Sequence, residues 1–141
     1  MILSTKGRYG LKATFNLALN YGKGPVSIKE IAAAYSISES YLELLLAKLK
    51  KANIVLSIRG CEGGYELASP PEQITAGDVL RCLEGPLLPS ECVVEGECSS
   101  HCHCAVRSVW TRLYDAINTS IDSVTLKQMV QDFQDGGNTN I

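Results

Sequence analysis

A thirteen-residue stretch from Cys92 to Cys104 concentrates the side chains best suited to hold a metal. It contains four of the chain's six cysteines and both of its histidines. Thiolate sulfur and imidazole nitrogen are the donors that zinc, copper(I) and iron–sulfur centres prefer. Val93 and Val94 are almost its only apolar side chains, and Gly96 and two serines favour a loop. We therefore expect a metal or cluster site on an irregular segment.

The same cysteines could instead form disulfides or act as redox-active thiols. Disulfides persist in oxidising compartments, and the sequence begins Met1-Ile-Leu-Ser-Thr-Lys-Gly-Arg8, which does not resemble a signal peptide. No apolar run is long enough to cross a bilayer. We therefore expect a cytoplasmic protein with no membrane partner. In that compartment a metal or cluster site is favoured, and thiol redox chemistry is the main alternative.

The length of the chain and the distribution of its charges indicate which structural units hold this stretch. The chain has 141 residues and 45% hydrophobic residues, enough for one small domain with an accessory segment. Residues 1–69 contain nine Lys/Arg and five acidic residues, whereas residues 70–141 contain four and ten. A basic front half joined to an acidic rear half is typical of a DNA-binding unit attached to a sensing unit.

The front half has the pattern of a helix-turn-helix. Ser27 can cap a helix over Ile28–Tyr35, and Ser38 can cap a second helix that ends near Ala52. A buried face of the second helix is predicted by leucines at helical spacing: Leu42, Leu45, Leu46 and Leu49. Its exposed stripe would carry small polar residues in the first turns and lysines behind them. That arrangement suits the major groove of DNA, with base edges at the front and phosphates at the back. An ordinary solvated helix face is the alternative.

A two-stranded wing is predicted directly after the helix-turn-helix. Ile54–Ser57 and Tyr65–Ala68 read as strands, and the glycine-rich segment 58–64 joins them as a hairpin. This order of elements defines a winged helix. Arg59 at the wing tip is placed to enter a minor groove, where narrow A·T-rich DNA concentrates negative potential.

Four more helices complete the expected architecture: residues 4–20, Ala76–Glu84 with a cap at Thr75, about Ala105 to Ile121, and Leu126 to about Phe133. The third of these has an apolar face larger than a winged helix needs, which indicates pairing with the same helix of a second subunit. The predicted fold class is therefore mainly α, a winged helix-turn-helix with a two-stranded β wing and a long C-terminal dimerisation helix.

Three regions are expected along the chain. Residues 1–69 form the DNA-binding winged helix, and residues 70–134 carry the cluster-binding loop and the dimerisation helices. Residues 135–141 read as a disordered tail because they are rich in glycine and asparagine.

Several motifs together resemble the Rrf-type winged-helix transcription regulators, and within them the iron–sulfur cluster regulators. The resemblance covers residues 1 to about 133. It rests on Leu3-Ser-Thr-Lys-Gly-Arg-Tyr9, Gly24-Pro25-Val, Ile37-Ser-Glu-Ser40-Tyr-Leu-Glu43, Val55-Leu-Ser-Ile-Arg59-Gly, Gly63-Gly-Tyr65, the spacing Cys92-x5-Cys98-x5-Cys104 and Trp110. It implies a homodimer that binds promoter DNA, carries a labile [2Fe–2S] cluster and controls genes for iron–sulfur cluster biogenesis. The iron–sulfur assembly machinery would supply that cluster.

The resemblance also implies roles for individual residues. The metal ligands would be Cys92, Cys98 and Cys104 with one weaker fourth ligand. The family's histidine for that role is replaced by Arg107, which cannot bind iron; His103 is our candidate, and His101 and Cys102 remain open. The resemblance implies DNA contacts at the positions of Ser40, Glu43 and Arg59. Together with Ser38, Tyr41 and Lys48 from the predicted second helix and its cap, these are the candidate DNA-binding residues.

Other functions remain as alternatives to a [2Fe–2S] switch. Related regulators that sense nitric oxide through a [4Fe–4S] centre have similar cysteines. A zinc site or thiol switch would give Cys61 and Cys102 larger roles. A small electron carrier is a further class, but the cysteine spacing matches neither ferredoxin pattern. We expect no enzyme, because the sequence shows no nucleophile–base pair or substrate-binding motif.

Overall fold

The computed structural model describes residues 3–90, 93 and 105–136, which are mainly helical with one antiparallel two-stranded sheet. The elements in chain order are α1 (Thr5–Leu19), α2 (Ile28–Tyr35), α3 (Glu39–Lys51), β1 (Val55–Ile58), β2 (Gly64–Leu67), a 3-10 turn (Pro71–Gln73), α4 (Ala76–Glu84), α5 (Arg107–Asp122) and α6 (Leu126–Gln134). Each predicted helix and strand is present, with its ends shifted by two residues at most. The predicted mainly α winged helix-turn-helix is confirmed.

Local caps fix where α2 and α3 begin and end. The Ser27 hydroxyl accepts a hydrogen bond from the Glu30 N–H at 3.2 Å, and the Glu30 carboxylate accepts one from the Ser27 N–H at 3.0 Å. Ser36 ends α2 in a left-handed conformation with a φ of 55°. Ser38 then caps α3 by accepting from the Tyr41 N–H at 3.3 Å. These caps make the turn of the helix-turn-helix short and well defined.

The core forms around the predicted face of α3, which confirms that part of the sequence analysis. The four leucines of that face are 0–2% exposed. The other fully buried large apolar side chains come from several elements: Leu17, Ile31, Val55, Val79 and Leu126. One buried cluster therefore joins the winged helix to α4 and α6. This continuous core holds α3 rigidly against the rest of the described chain.

The wing is held against the helix-turn-helix by backbone hydrogen bonds. β1 and β2 are antiparallel, with Val55 opposite Leu67. Val26, two residues before α2, exchanges two hydrogen bonds with Tyr65 of β2, at 2.9 and 2.8 Å. Gly64 allows this approach, because a Cβ there would lie 2.2 Å from the Val26 carbonyl oxygen.

The first wing strand begins one residue later than the sequence predicts. Asn53 adopts a left-handed φ of 60° after the C-terminus of α3. In this conformation the Ile54 N–H donates to the Leu49 carbonyl oxygen at 2.9 Å. Ile54 is therefore part of the C-terminal cap of α3. The strand therefore starts at Val55.

Helix α4 packs closely on α1 because α1 presents glycines to it. A Cβ on Gly10 would lie 1.9 Å from Leu83 Cδ1, and a Cβ on Gly7 would lie 2.7 Å from Glu84 Oε1. Thr75 caps α4 as predicted, and it forms a capping box with Asp78. The close packing at Gly7 and Gly10 places the C-terminal end of α4 against the N-terminal part of α1.

Helix α5 is unlike the others, because none of its residues is buried. It is joined to α4 by Arg81, which pairs with Asp122 and donates to the Asn118 side chain at 2.8 Å. Its exposed apolar side chains include Val109, which is 50% exposed, and Leu113. Within the described ranges no helix is long and apolar enough to span a membrane.

Candidate nucleic-acid interface

The first turns of α3 present a continuous solvent-facing stripe. Ser40, Glu43, Leu44 and Ala47 are all exposed, and Leu44 is 64% exposed. The stripe is rigid, because the opposite face of the same helix is fully buried. An exposed stripe at the N-terminal part of the second helix is the part of a helix-turn-helix that contacts base edges.

Two predicted DNA-binding residues of α3 also have structural roles. Ser38 is exposed, and its hydroxyl oxygen caps the helix. Tyr41 is half-buried, and its hydroxyl lies 3.1 Å from the Thr5 hydroxyl. Its ring packs edge-on against the Tyr9 ring, with 6.1 Å between the ring centroids. Tyr41 therefore fixes the first turn of α3 to α1. The sequence analysis missed this contact, since nothing local in the sequence pairs residue 5 with residue 41.

The lysines at the C-terminal end of α3 divide into two groups. Lys50 donates to the Ser57 hydroxyl at 2.7 Å and so joins α3 to β1. Lys48 and Lys51 are exposed, and neither forms an ion pair within the described residues. These two side chains are free to meet phosphates, whereas Lys50 helps to set the angle of the wing.

Charge along α3 is arranged from acidic to basic. Glu39 lies in the first turn and the lysines in the last. This order stabilises the helix through its dipole whether or not DNA binds. On DNA, a phosphate would repel the Glu43 carboxylate. This carboxylate is therefore restricted to base edges that donate hydrogen bonds.

The wing tip presents a second positively charged position. Arg59 directly follows β1 and is exposed, with Gly60 beyond it at a φ of 118°. Cys61 is an exposed free thiol at the same tip. Arg59 has no ion-pair partner in the described parts of the chain, so its charge is available to a polyanion.

The predicted metal ligands, Cys92, Cys98, His103 and Cys104, lie outside the described residues. Among residues 3–90, 93 and 105–136 no group of three or more His, Cys, Asp or Glu side chains could hold a metal ion. The other candidates for the fourth ligand, His101 and Cys102, also lie outside these ranges.

One described residue next to this stretch bears on a cluster. Arg107 begins α5, and its Nη1 atom is buried with no hydrogen-bond partner among the described residues. A buried guanidinium N–H group without an acceptor is costly, and a nearby anion would offset that cost. A cluster held by thiolates is such an anion. The donor set of three cysteines and a histidine is also chemically suited to an iron–sulfur centre.

Comparison with known proteins gives one consistent family. Residues 3–132 match the family model Rrf2, described as an iron-dependent transcriptional regulator. The HTH-type transcriptional regulator CymR of Bacillus subtilis is 47% identical over 136 residues, which are 96% of this chain and 94% of that protein.

Solved structures agree with this assignment. The structure of B. subtilis CymR, described as the global cysteine regulator, has a TM-score of 0.81 at 45% identity, covering 93% of this chain and 97% of that one. IscR of T. potens has a TM-score of 0.76 at 42% identity, covering 94% and 88%. The oxidised form of Staphylococcus aureus CymR has a TM-score of 0.74 at 40% identity, covering 92% and 96%.

These relatives are transcriptional regulators with a DNA-binding fold and not enzymes. The resemblance inferred from the sequence motifs is confirmed, and it includes both CymR and IscR members. The chain belongs to the Rrf2 family of winged-helix transcriptional regulators.

Proposed function

We propose that this regulator binds promoter DNA as a homodimer and that an iron–sulfur cluster determines which promoters it occupies. The observation that carries the DNA-binding part is the exposed stripe of α3, held rigid by a fully buried opposite face. The cluster part rests on the spacing Cys92-x5-Cys98-x5-Cys104 and on the similarity to IscR.

Each DNA-binding residue has a distinct proposed role. Ser40 and Glu43 face base edges in the major groove, because they lie in the first turns of α3. Lys48 binds a phosphate, and Arg59 enters the adjacent minor groove from the wing. Ser38 and Tyr41 hold the first turn of α3 in place at the DNA backbone, since both stabilise that turn within the protein.

Dimerisation through α5 explains why no residue of this helix is buried within one subunit. Val109 and Leu113 lie four positions apart and therefore on one face, so a second copy of α5 would cover both. A two-fold dimer presents two copies of α3 to successive major grooves, about 34 Å apart on B-DNA. The proposed operator is accordingly palindromic.

The proposed cofactor is a [2Fe–2S] cluster bound by Cys92, Cys98 and Cys104, with His103 as the fourth ligand. When bound it supplies a redox-active and labile centre, whose occupancy depends on iron supply and oxidants. Arg107 at the start of α5 would neutralise part of its negative charge, because its Nη1 is buried without an acceptor among the described residues. The iron–sulfur assembly machinery of the cytoplasm is the proposed source, and genes for cluster biogenesis are the proposed targets.

A thiol switch or zinc site is the second candidate, and the exposed Cys61 favours it. This free thiol lies at the wing tip beside Arg59, where oxidation would alter the DNA-facing surface. S. aureus CymR has itself been solved in an oxidised form. A [4Fe–4S] centre that senses nitric oxide is the remaining variant of the cluster hypothesis.

Native mass spectrometry of the full chain, purified anaerobically, separates these candidates. A dimer with one [2Fe–2S] mass per subunit supports the proposal, and a [4Fe–4S] mass moves it to nitric-oxide sensing. Stoichiometric zinc, or bare thiols after attempted reconstitution, contradicts the cluster. Cys92→Ala, Cys98→Ala and Cys104→Ala should each lose the cluster and keep the dimer folded, whereas Cys61→Ala should retain the cluster.

A further inference from the structure

Leu44 is the most exposed large apolar side chain among the residues that the structure describes. It is 64% exposed, and Phe133 at 60% and Val106 at 52% follow it. Single exposed leucines are common on protein surfaces, so exposure alone assigns no role. The position of Leu44 does: it lies in the second turn of α3, within the stripe that faces outward from the helix-turn-helix.

The neighbours of Leu44 on that stripe leave it accessible to a groove. Ser40 precedes it by four residues and Ala47 follows it by three, so both lie on the same face. Both are exposed and small, which leaves Leu44 as the only large apolar side chain of the stripe. Lys48 lies one turn further along, where it can hold the DNA backbone against this surface.

The major groove offers one apolar group to such a side chain. Donors and acceptors on base edges cannot pair with an aliphatic chain, but the C5-methyl group of thymine can pack against it. The other base-edge groups would lose water to Leu44 without gaining a hydrogen bond. Thymine is therefore the base that best complements Leu44.

We propose that Leu44 reads the methyl group of a thymine in each half of the operator, and that Ala47 lets the helix approach closely enough for this contact. The proposal rests on the proposed role of α3 as the DNA-reading helix. It adds the class of base recognised and the residue that recognises it. Glu43 beside Leu44 would accept from a neighbouring cytosine or adenine amino group and would reject guanine, whose major-groove edge carries only acceptors.

The test begins with selection of binding sites from a library of random DNA duplexes, using the full-length chain. Each thymine of the selected site is then replaced in turn by deoxyuridine, which lacks only the methyl group. Loss of one buried methyl group should weaken binding by about four-fold, and replacement in both half-sites by about fifteen-fold. The expected pattern is one sensitive thymine per half-site, with the other thymines nearly neutral.

Variants of Leu44 identify the residue that senses the methyl group. Leu44→Ala should bind thymine and deoxyuridine sites equally, whereas Leu44→Met retains an apolar chain and should still prefer thymine. Lys127→Ala, at an exposed position of α6 outside the stripe, is the control and should keep the wild-type preference. Because Leu44 is exposed, its variants should keep the thermal unfolding midpoint of the wild type, which checks that folding is unchanged.

The possible outcomes separate this inference from the function on which it rests. If no duplex is selected, the proposed DNA binding fails, and the reading of thymine fails with it. If a site is selected but no thymine is sensitive to deoxyuridine, DNA binding stands and the role of Leu44 is overturned. If a sensitive thymine remains sensitive in Leu44→Ala, another residue reads the methyl group, and the inference is again overturned.

Discussion

The carboxylate of Glu84 accepts hydrogen bonds from both the backbone N–H and the hydroxyl of Ser4, at 2.9 and 2.6 Å. Gly7 donates a third, at 3.0 Å, to the same oxygen. Glu84 is the last residue of α4, and Ser4 caps α1. The hydroxyl of the next residue, Thr5, lies 3.1 Å from the hydroxyl of Tyr41 in the first turn of α3. The end of α4 is thus connected to the DNA-facing helix through the N-terminus of α1.

We expect Glu84→Ala to lower the free energy of unfolding at pH 7 by about 1 kcal/mol, because hydrogen bonds to a charged acceptor are lost from a partly exposed site. The hydrogen bond from Ser4 lowers the pKa of Glu84, and the Gly7 N–H acts in the same direction. A lowered folded-state pKa stabilises the protein above the unfolded pKa, and the effect is lost as the pH falls through the folded value.

Urea unfolding at a series of pH values tests this expectation. The difference between wild type and Glu84→Ala should shrink as the pH falls below the usual range of a glutamate pKa. Glu72→Ala, at an exposed position, is the control and should change stability by less than about 0.5 kcal/mol. A Glu84→Ala effect that is independent of pH would contradict the role of the charged carboxylate.

Gly10→Ala should destabilise the protein by about 1–3 kcal/mol, although alanine normally favours a helix over glycine. The added Cβ would lie 1.9 Å from Leu83 Cδ1, so α1 and α4 would have to separate. Thermal or urea unfolding of Gly10→Ala, Leu83→Ala and the double variant measures this clash. The double variant should lose less stability than the sum of the single variants. If the losses of stability in the two single variants add up in the double variant, the Cβ added at position 10 does not clash with Leu83.

Lys48→Ala should weaken binding to every duplex by a similar factor, because a phosphate contact carries no sequence information. The slope of log affinity against log salt concentration should fall by about 1 for each subunit bound. Lys127→Ala, an exposed lysine of α6, is the matched charge control and should leave the slope unchanged. A selective loss on some sequences would instead place Lys48 at a base edge.

Val109→Glu should dissociate the proposed dimer, since an unpaired carboxylate would be buried between two copies of α5. The cost is several kcal/mol, which corresponds to a rise of at least about 100-fold in the dimer dissociation constant. Sedimentation equilibrium measures this constant directly. Thr119→Glu, exposed on another side of the same helix, should leave the dimer intact. An unchanged dimer in Val109→Glu would exclude this face of α5 as the interface.

Local signals in the sequence were sufficient to predict the helices, their caps and the wing. Ser27, Ser38 and Thr75 each cap the helix that the sequence assigns to them, since a cap depends on residues within one turn. The contacts between Thr5 and Tyr41, and between Lys50 and Ser57, were not predictable in the same way. They depend on how α1, α3 and β1 pack, and no local pattern encodes the identity of a distant partner. The ligand roles of Cys92, Cys98, Cys104 and His103 remain predictions.

The central claim is that a cluster on the three cysteines changes which DNA this regulator binds. The most direct measurement is an anaerobic fluorescence-anisotropy titration of selected operator duplexes with cluster-loaded wild-type protein and with Cys92→Ala. We expect the Kd for at least one duplex to differ by about ten-fold or more, a coupling of ordinary size for a ligand-controlled regulator. Equal Kd values for all selected duplexes, with the cluster present in the wild type and absent in the variant, would contradict the claim.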